Sequence, residues 1–265
     1  MAEAAKIQYS RKEVIDIAMA LGKVLLKNGA ETTRVEDSIT RFCKQSGVDD
    51  LNVYVTPTGI ILGDEETNGD MVMCRIRSRT INLTRIGQAN DFSYTFAEKN
   101  WSYEAAMDWL NGLLVAEPTY NRWLQCLASG VGSGCFSALL GGRVEDFIAA
   151  FFVGGLSMVL LKLLAGYRPS AFWENVIAGF SIGLLSIISC QLVSACSMEK
   201  ITVGALMPFL PGTAFTNSLR DYMAGDLISG NCRSAEALLF AISIAVGLAA
   251  SLELWYMWGV KLLWN

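Results

Sequence analysis

Five apolar segments fill the second half of the 265-residue chain, at about 123–141, 146–165, 172–193, 201–217 and 235–258, and the charges there cluster at segment ends. Bilayer hydrocarbon offers no water to backbone N–H and C=O groups, so segments of this kind cross it only as helices or closed barrels. A helix needs roughly 20 residues to cross. Four of the five are long enough. In the fourth, only the ten residues Ile201–Leu210 lead up to the break at Pro208 and Pro211, which at ~1.5 Å per residue is about half the depth. The expected architecture is an α+β N-terminal cytosolic domain, residues 1–118, followed by an all-α polytopic membrane domain, residues 119–265. The latter has about five transmembrane helices, the fourth broken at Pro208/Pro211.

The break is the most informative motif. Residues 208–230 read PFLPGTAFTNSLRDYMAGDLISG. Prolines donate no N–H, so a helix through them leaves the carbonyls of Gly204 and Met207 without their usual partners. Such groups are tolerated at membrane depth only when buried in protein or lining a wet cavity, and interrupted helices are a common substrate site in transporters. If the helix resumes after Gly212, then Thr213, Thr216, Asn217 and Arg220 share one face. The new helix start offers free N–H groups to an anion, and Arg220 adds a permanent charge with a bidentate fork. The set Thr213, Thr216, Asn217, Arg220 and Asp221 suits a carboxylate substrate, with Pro208, Pro211 and Gly212 as the break or gate. The competing reading makes Arg220 and Asp221 a loop anchor, paired with each other or with Asp226.

Residues 1–118 carry most of the charge. Val14, Ile17, Ala18, Leu21, Val24 and Leu25 recur at helical spacing, predicting a helix over 11–27 that Asn28-Gly29 stops. A second helix is expected over 32–46. Strands are expected at Asn52–Val55, Gly59–Leu62, Met71–Arg75 and Thr80–Arg85, with an acidic turn, DEETNG, before the third. Helices at 88–99 and 103–115 follow, the latter capped by Ser102, and Pro118 marks the junction.

Composition excludes much chemistry. There is no histidine, hence no Ser-His-Asp triad, Cys-His dyad or His-ligated zinc. The seven cysteines form no CxxC pair and read as free thiols. The net charge of −4 gives nucleic acid no purchase. No GxxxxGK[ST] motif provides for ATP, so no cofactor, metal or catalytic residue is assigned. The glycines of Gly130-Val-Gly-Ser-Gly134 read as small-residue helix packing. Glu145 and Asp146 read as helix-start acids that complement the dipole.

The stretch GAETTRVE offers two readings. Glu31 and Arg34 form an exposed ion pair on one helical turn, or Glu31, Arg34 and Glu36 build a fixed surface with the TPTG turn that carries Thr56 and Thr58. GAETTRVED, VYVTPTGIIL and PGTAFTNSLRDYMAGD occur in this order, and in that combination the chain resembles the threonine/serine exporter family over nearly its whole length. The resemblance implies a secondary transporter. With about five spans it implies the larger half of the split two-component form, whose second, smaller multi-span subunit completes the transporter. Split pairs are associated with succinate-like dicarboxylates and fused members with threonine and serine.

The expected function is therefore export of a small carboxylate-bearing metabolite by a subunit of a higher oligomer in the lipid bilayer. A membrane-tethered hydrolase-like enzyme and a non-transporting scaffold are the alternatives. Basic residues place the N-terminus in the cytoplasm of a cell inner membrane. Arg122, Lys162, Arg168, Arg220 and Arg233 fall on inner ends, against Arg143, Lys200 and Lys261 outside. Trp255, Tyr256, Trp258 and Trp264 suit the outer interface belt.

Overall fold

The computed structural model describes residues 9–64, 70–99, 101–115, 120–167 and 170–263. Most of the DEETNG turn, Pro118, Arg168 and Trp264 lie outside the described residues, as do the side chains of Trp258 and Lys261. The chain forms two compact units, Met1–Thr119 with Thr216–Arg233, and Tyr120–Phe215 with Ser234–Asn265.

In the first unit, helix α1 spans Arg11–Lys27. Ser10 and Glu13 close a capping box at its start, the Ser10 N–H donating to Glu13 at 2.7 Å. Helix α2 covers Thr32–Gln45. Strands β1 (Leu51–Thr56), β2 (Gly59–Asp64) and β3 (Asp70–Arg75) form an antiparallel meander in that order. The register sets Val53 opposite Leu62 and Ile61 opposite Met73. Alternation then buries Val55, Ile60 and Leu62 while Tyr54, Met71 and Met73 face outward. Helices α3 (Leu83–Lys99) and α4 (Tyr103–Val115) complete the layer. Ile17, Leu21 and Leu25 of α1 meet Ile39 and Phe42 of α2, Ile60 and Leu110 in one fully buried core.

One element differs from expectation. The run Thr80–Arg85 is not a fourth strand; it is an extended link that becomes the first turn of α3. The Asn82 side chain caps that turn, accepting the Arg85 N–H at 3.1 Å. The Thr80 and Asn82 N–H groups donate to Lys27 O and Asn28 O, at 2.9 and 3.0 Å. These bonds to a helix end replace a sheet ladder, and the Asn cap outweighs the β-branched residues around it.

The second unit is all helical. It holds α5 (Arg122–Leu139), α6 (Val144–Leu164) with a 3-10 turn at Ala165–Tyr167, α7 (Ala171–Leu192) and α8 (Met198–Leu206). A second 3-10 turn, Met207–Phe209, precedes α9 (Gly212–Met223), and α10 runs Leu227–Leu263. The segment boundaries of α9 and α10 cross from one unit to the other. Among the described residues three helical stretches, Val144–Tyr167, Ala171–Leu192 and Leu227–Met257, are long and apolar enough to cross a membrane. Helix α5 and the α8–α9 pair are not in that class.

Burial in this unit is inverted relative to a water-soluble core. Ser129, Ser133, Ser137, Ser157 and Ser186 are buried, while Leu139, Leu163 and Leu192 are exposed by 72–79%. Large apolar residues facing outward with small ones at helix contacts is the membrane pattern. The Gly130–Gly134 run packs as the sequence predicts. A Cβ on Gly130 would lie 2.8 Å from Phe151 O, and one on Gly134 would lie 3.0 Å from Phe147 O. Helices α7 and α10 cross still closer, where a Cβ on Gly179 or Gly247 would come within 2.1 or 2.0 Å of a backbone oxygen. Asp146 serves structure: its carboxylate accepts the Arg143 N–H at 2.9 Å and the Ser197 N–H at 2.6 Å.

Gly247→Ala is expected to lower the unfolding temperature in detergent by forcing α7 and α10 apart, at a cost of about 1–3 kcal/mol. Gly112→Ala, in α4 with nothing within 4 Å of the added Cβ, should instead stabilise by about 0.5–1 kcal/mol through helix propensity. Equal responses of the two variants in thermal unfolding would contradict the close crossing.

Candidate functional site

Six consecutive residues at the end of α1, Lys27–Thr32, collect partners from distant parts of the first unit. Helix α1 stops at Asn28, and Gly29 follows at φ +92°, a left-handed conformation that favours glycine. Asn28 is buried and returns its side-chain amide to Val24 O at 2.7 Å. The turn then points its backbone and side chains outward. Lys27 donates to Leu114 O at 3.4 Å, Gly29 O accepts the Asn217 amide at 3.4 Å, and Ala30 O accepts Arg233 at 2.9 Å. Glu31 pairs with Arg220. Thr32 donates to Asp221 at 2.8 Å, with Asp226 at 3.2 Å.

Two ion pairs of different character result. Asp221 and Arg233 meet at 3.0 Å with side chains 0% and 5% exposed. Charges taken this far out of water hold only if each is fully compensated, and removing one partner strands the other. Arg220 is different: its side chain is 59% exposed, so its bond to Glu31 is well solvated and weak. Glu36 accepts the Val55 N–H at 2.8 Å, which ties α2 to the end of β1. Burial pushes the Glu36 carboxyl up, the Val55 bond opposes this, and Asp226, Asp37 and Asp221 reinforce it. Asp221 is likewise raised by burial, against Thr32 and Arg233, with Asp226 and Glu31 adding to the rise.

The structure brings Asn217, Arg220 and Asp221 of one expected motif onto Gly29–Thr32 of the other. Neither pairing weighed from sequence is present, because Arg220 takes Glu31, and Asp221 takes Arg233. Glu31 accordingly meets an arginine 189 positions away in place of Arg34 one turn along; Arg34 is exposed. Thr213 and Thr216 lie exposed on α9. Thr56 and Thr58 stand 3.5 Å apart at the β1–β2 turn, beside a cavity of about 330 Å³ on the outer sheet face with Tyr54, Met73 and Arg75.

Around Pro208 and Pro211, α8 ends at Leu206, a 3-10 turn covers Met207–Phe209 and α9 starts at Gly212. Gly204 O accepts the Met207 N–H, and Met207 O accepts the Leu210 N–H at 3.4 Å, so both orphaned carbonyls are re-engaged in a tighter turn. Pro211 O then takes the Phe215 N–H at 3.0 Å and starts α9. Sequence reasoning missed Thr32 and the depth of Arg233. A lone arginine seven residues into the long apolar α10 was the available signal, since such a charge needs a partner.

Asp221→Ala is expected to destabilise by about 3–5 kcal/mol, as the buried Arg233 loses the carboxylate opposite its charge. Arg220→Ala should cost about 0–1 kcal/mol. Thermal unfolding of the two proteins separates them, and similar losses would contradict the difference in exposure. A second expectation concerns pH. Folding raises the proton affinity of Glu36, so its contribution to stability is full at low pH and is lost as pH rises through the raised value. Glu36→Gln removes the charge that burial penalises and keeps an acceptor for Val55. Its unfolding temperature should exceed that of the unsubstituted protein at alkaline pH, the gap closing as pH falls toward 4.5, the ordinary value of the group. A gap independent of pH would rule out titration of Glu36 as its source.

Comparison with known proteins completes the picture. The family described as "Putative threonine/serine exporter" matches residues 16–255. The chain is 22% identical over 260 residues to the Escherichia coli (strain K12) protein called "Probable succinate transporter subunit YjjP", covering 94% of this chain and 97% of that protein. A Klebsiella aerogenes protein of the same description is also 22% identical, covering 94% and 96%. The Corynebacterium glutamicum protein called "Threonine/serine exporter" is 21% identical over 91% of this chain, and only 51% of its own length is covered. No solved structure matches. A transporter-family match across almost the whole chain fits the inverted burial of the second unit, and the chain belongs to the threonine/serine exporter family.

Proposed function

We propose that this chain is the larger subunit of a two-component membrane exporter for a small carboxylate-bearing metabolite: threonine, serine or a dicarboxylate such as succinate. The observation that carries the two-component reading is the description of its relatives. The chain aligns over 94% of its length, and 97% of the other's, with a protein described as a transporter subunit. A second, smaller membrane protein then supplies the remaining spans, and the pair forms a higher oligomer. In this reading residues 1–118 are cytosolic and the protein sits in the inner membrane. Helix α5 and the α8–α9 pair join the three longer stretches as the first and fourth of five spans, the fourth being the one broken at Pro208 and Pro211.

Arg220 is the substrate-binding residue we favour, with Thr213, Thr216 and Asn217 on the same helix as orienting donors. Its guanidinium is solvent-accessible and its carboxylate partner is weakly held. A substrate carboxylate can take the place of Glu31 at little cost, because one charge-assisted bond is exchanged for another. Asp221 is held rigidly by Arg233 and Thr32 and positions the helix. Glu31 is thus both the resting partner of Arg220 and the competitor that substrate displaces. Glu36, Arg34, Thr56 and Thr58 belong to the cytosolic part, which gates or assembles the transporter.

Flux in proteoliposomes tests this. The chain reconstituted alone should show no gradient-dependent transport, and co-expression with its small partner should restore it. Arg220→Gln should lower affinity about ten- to hundredfold, the worth of a charge-assisted bond of about 1.5–3 kcal/mol, with unfolding temperature unchanged. Glu31→Gln should raise affinity by removing the competitor. Wild-type transport by Arg220→Gln would take this residue out of the site.

A further inference from the structure

A cavity of about 230 Å³ opens between α5 and α6, far in sequence from the Lys27–Thr32 turn and its partners and wholly within the second unit. Its lining is Arg122, Trp123, Cys126, Val159, Lys162 and Leu163. The helices are antiparallel neighbours here, brought together by small residues; a Cβ on Gly155 would sit 3.6 Å from Cys126 O. Arg122 opens α5 and Lys162 stands in the last turn of α6, so two cations converge on one cavity. Among the described residues neither has an acidic partner.

That arrangement is electrostatically incomplete. Two like charges lining one apolar-walled recess repel one another, and Lys162 lies within the membrane-spanning stretch Val144–Tyr167. A lysine there extends its stem along the hydrocarbon and holds its ammonium at headgroup level. The remaining walls point to what the cations meet. Trp123 and Leu163 are each 72% exposed, on the surface where a bilayer would lie, and Cys126 and Val159 continue the apolar floor. Tryptophan at this depth marks the membrane–water interface. A ligand that satisfies both halves needs an anionic head beside an apolar tail.

We propose that the α5–α6 cavity is a binding site for an anionic phospholipid, with Arg122 and Lys162 on the phosphate and Trp123, Val159 and Leu163 against the glycerol and upper acyl chain. Basic pockets between membrane helices recognise acidic lipids in this way. The guanidinium of Arg122 forms paired bonds to phosphate oxygens, and Lys162 contributes a point charge. A small free anion would use the cations and leave the apolar walls unoccupied. The site is separate from the carboxylate chemistry proposed for Arg220.

The test uses the full chain in detergent micelles, titrated with phosphatidylglycerol or phosphatidylcholine and read by native mass spectrometry for bound lipid. Phosphatidylglycerol is expected to remain bound where phosphatidylcholine is lost. Arg122→Gln and Lys162→Gln should each weaken its retention about fivefold, and the double substitution about 25-fold, following the contribution of one basic residue at an anionic surface. Arg122 is exposed and Lys162 half-buried, and circular dichroism checks that the fold is retained. Equal retention of the two lipids would overturn the proposal, as would an undiminished preference in the double variant. Displacement of phosphatidylglycerol by millimolar phosphate or succinate would also overturn it, by assigning the cavity to a free anion.

Discussion

The buried pair of Asp221 with Arg233 is the constraint on which the first unit depends. Neither charge is stable at 0% and 5% exposure without the other, and the two residues stand on different helices, α9 and α10. The pair therefore fixes the turn between those helices, with Asp226 capping α10 through the Ser229 N–H at 3.1 Å. Thr32 and Ala30 O complete the coordination from the α1–α2 turn. Because Gly29 gives that turn its left-handed path, backbone conformation at one residue sets where two side chains, Glu31 and Thr32, and two carbonyls, of Gly29 and Ala30, meet the later part of the chain. Two motifs about 190 positions apart become one polar joint.

Much of the first unit was legible in the sequence because water-facing and core-facing residues alternate with clear periods there. Helices α1 and α2 and the three strands follow from that alternation, and Asn28-Gly29 marks the end of α1 as its chemistry requires. Thr80–Arg85 misled because Ile81 and the flanking threonines fit a strand locally, whereas Asn82 acts as a cap and the N–H groups bond to the end of α1. Propensity gave way to tertiary hydrogen bonding. The site was legible only as a list. Sequence spacing pairs Glu31 with Arg34 and Arg220 with Asp221, since neighbours along a helix are all that spacing can see. The partners chosen in three dimensions are about 190 and 12 positions away.

The same polar joint divides labour between two arginines of opposite burial. Arg233 is an internal strut whose charge is spent on holding the chain. Arg220, one residue from Asp221, inherits a rigid base and yet keeps a solvent-facing head. In the proposed role of Arg220, an arriving carboxylate need not organise the helix, because Asp221 has already done so. Preorganisation of this sort lets a single exposed cation discriminate by geometry as well as by charge.

The inverted burial of the second unit bears on how such a chain tolerates change. Its helices touch along narrow lines of glycine, serine and alanine, where even one added carbon at Gly247 or Gly179 meets backbone. The broad outer shell of leucine, valine and phenylalanine asks only for apolar volume, which many side chains supply equally well. Substitutions can accumulate over that shell with little effect on helix placement, while the contact lines occupy few positions. Overall identity is then a poor gauge of architectural kinship in this unit: a relative matched at 22% over 97% of its length can differ at most outward positions and still assemble its helices along the same seams.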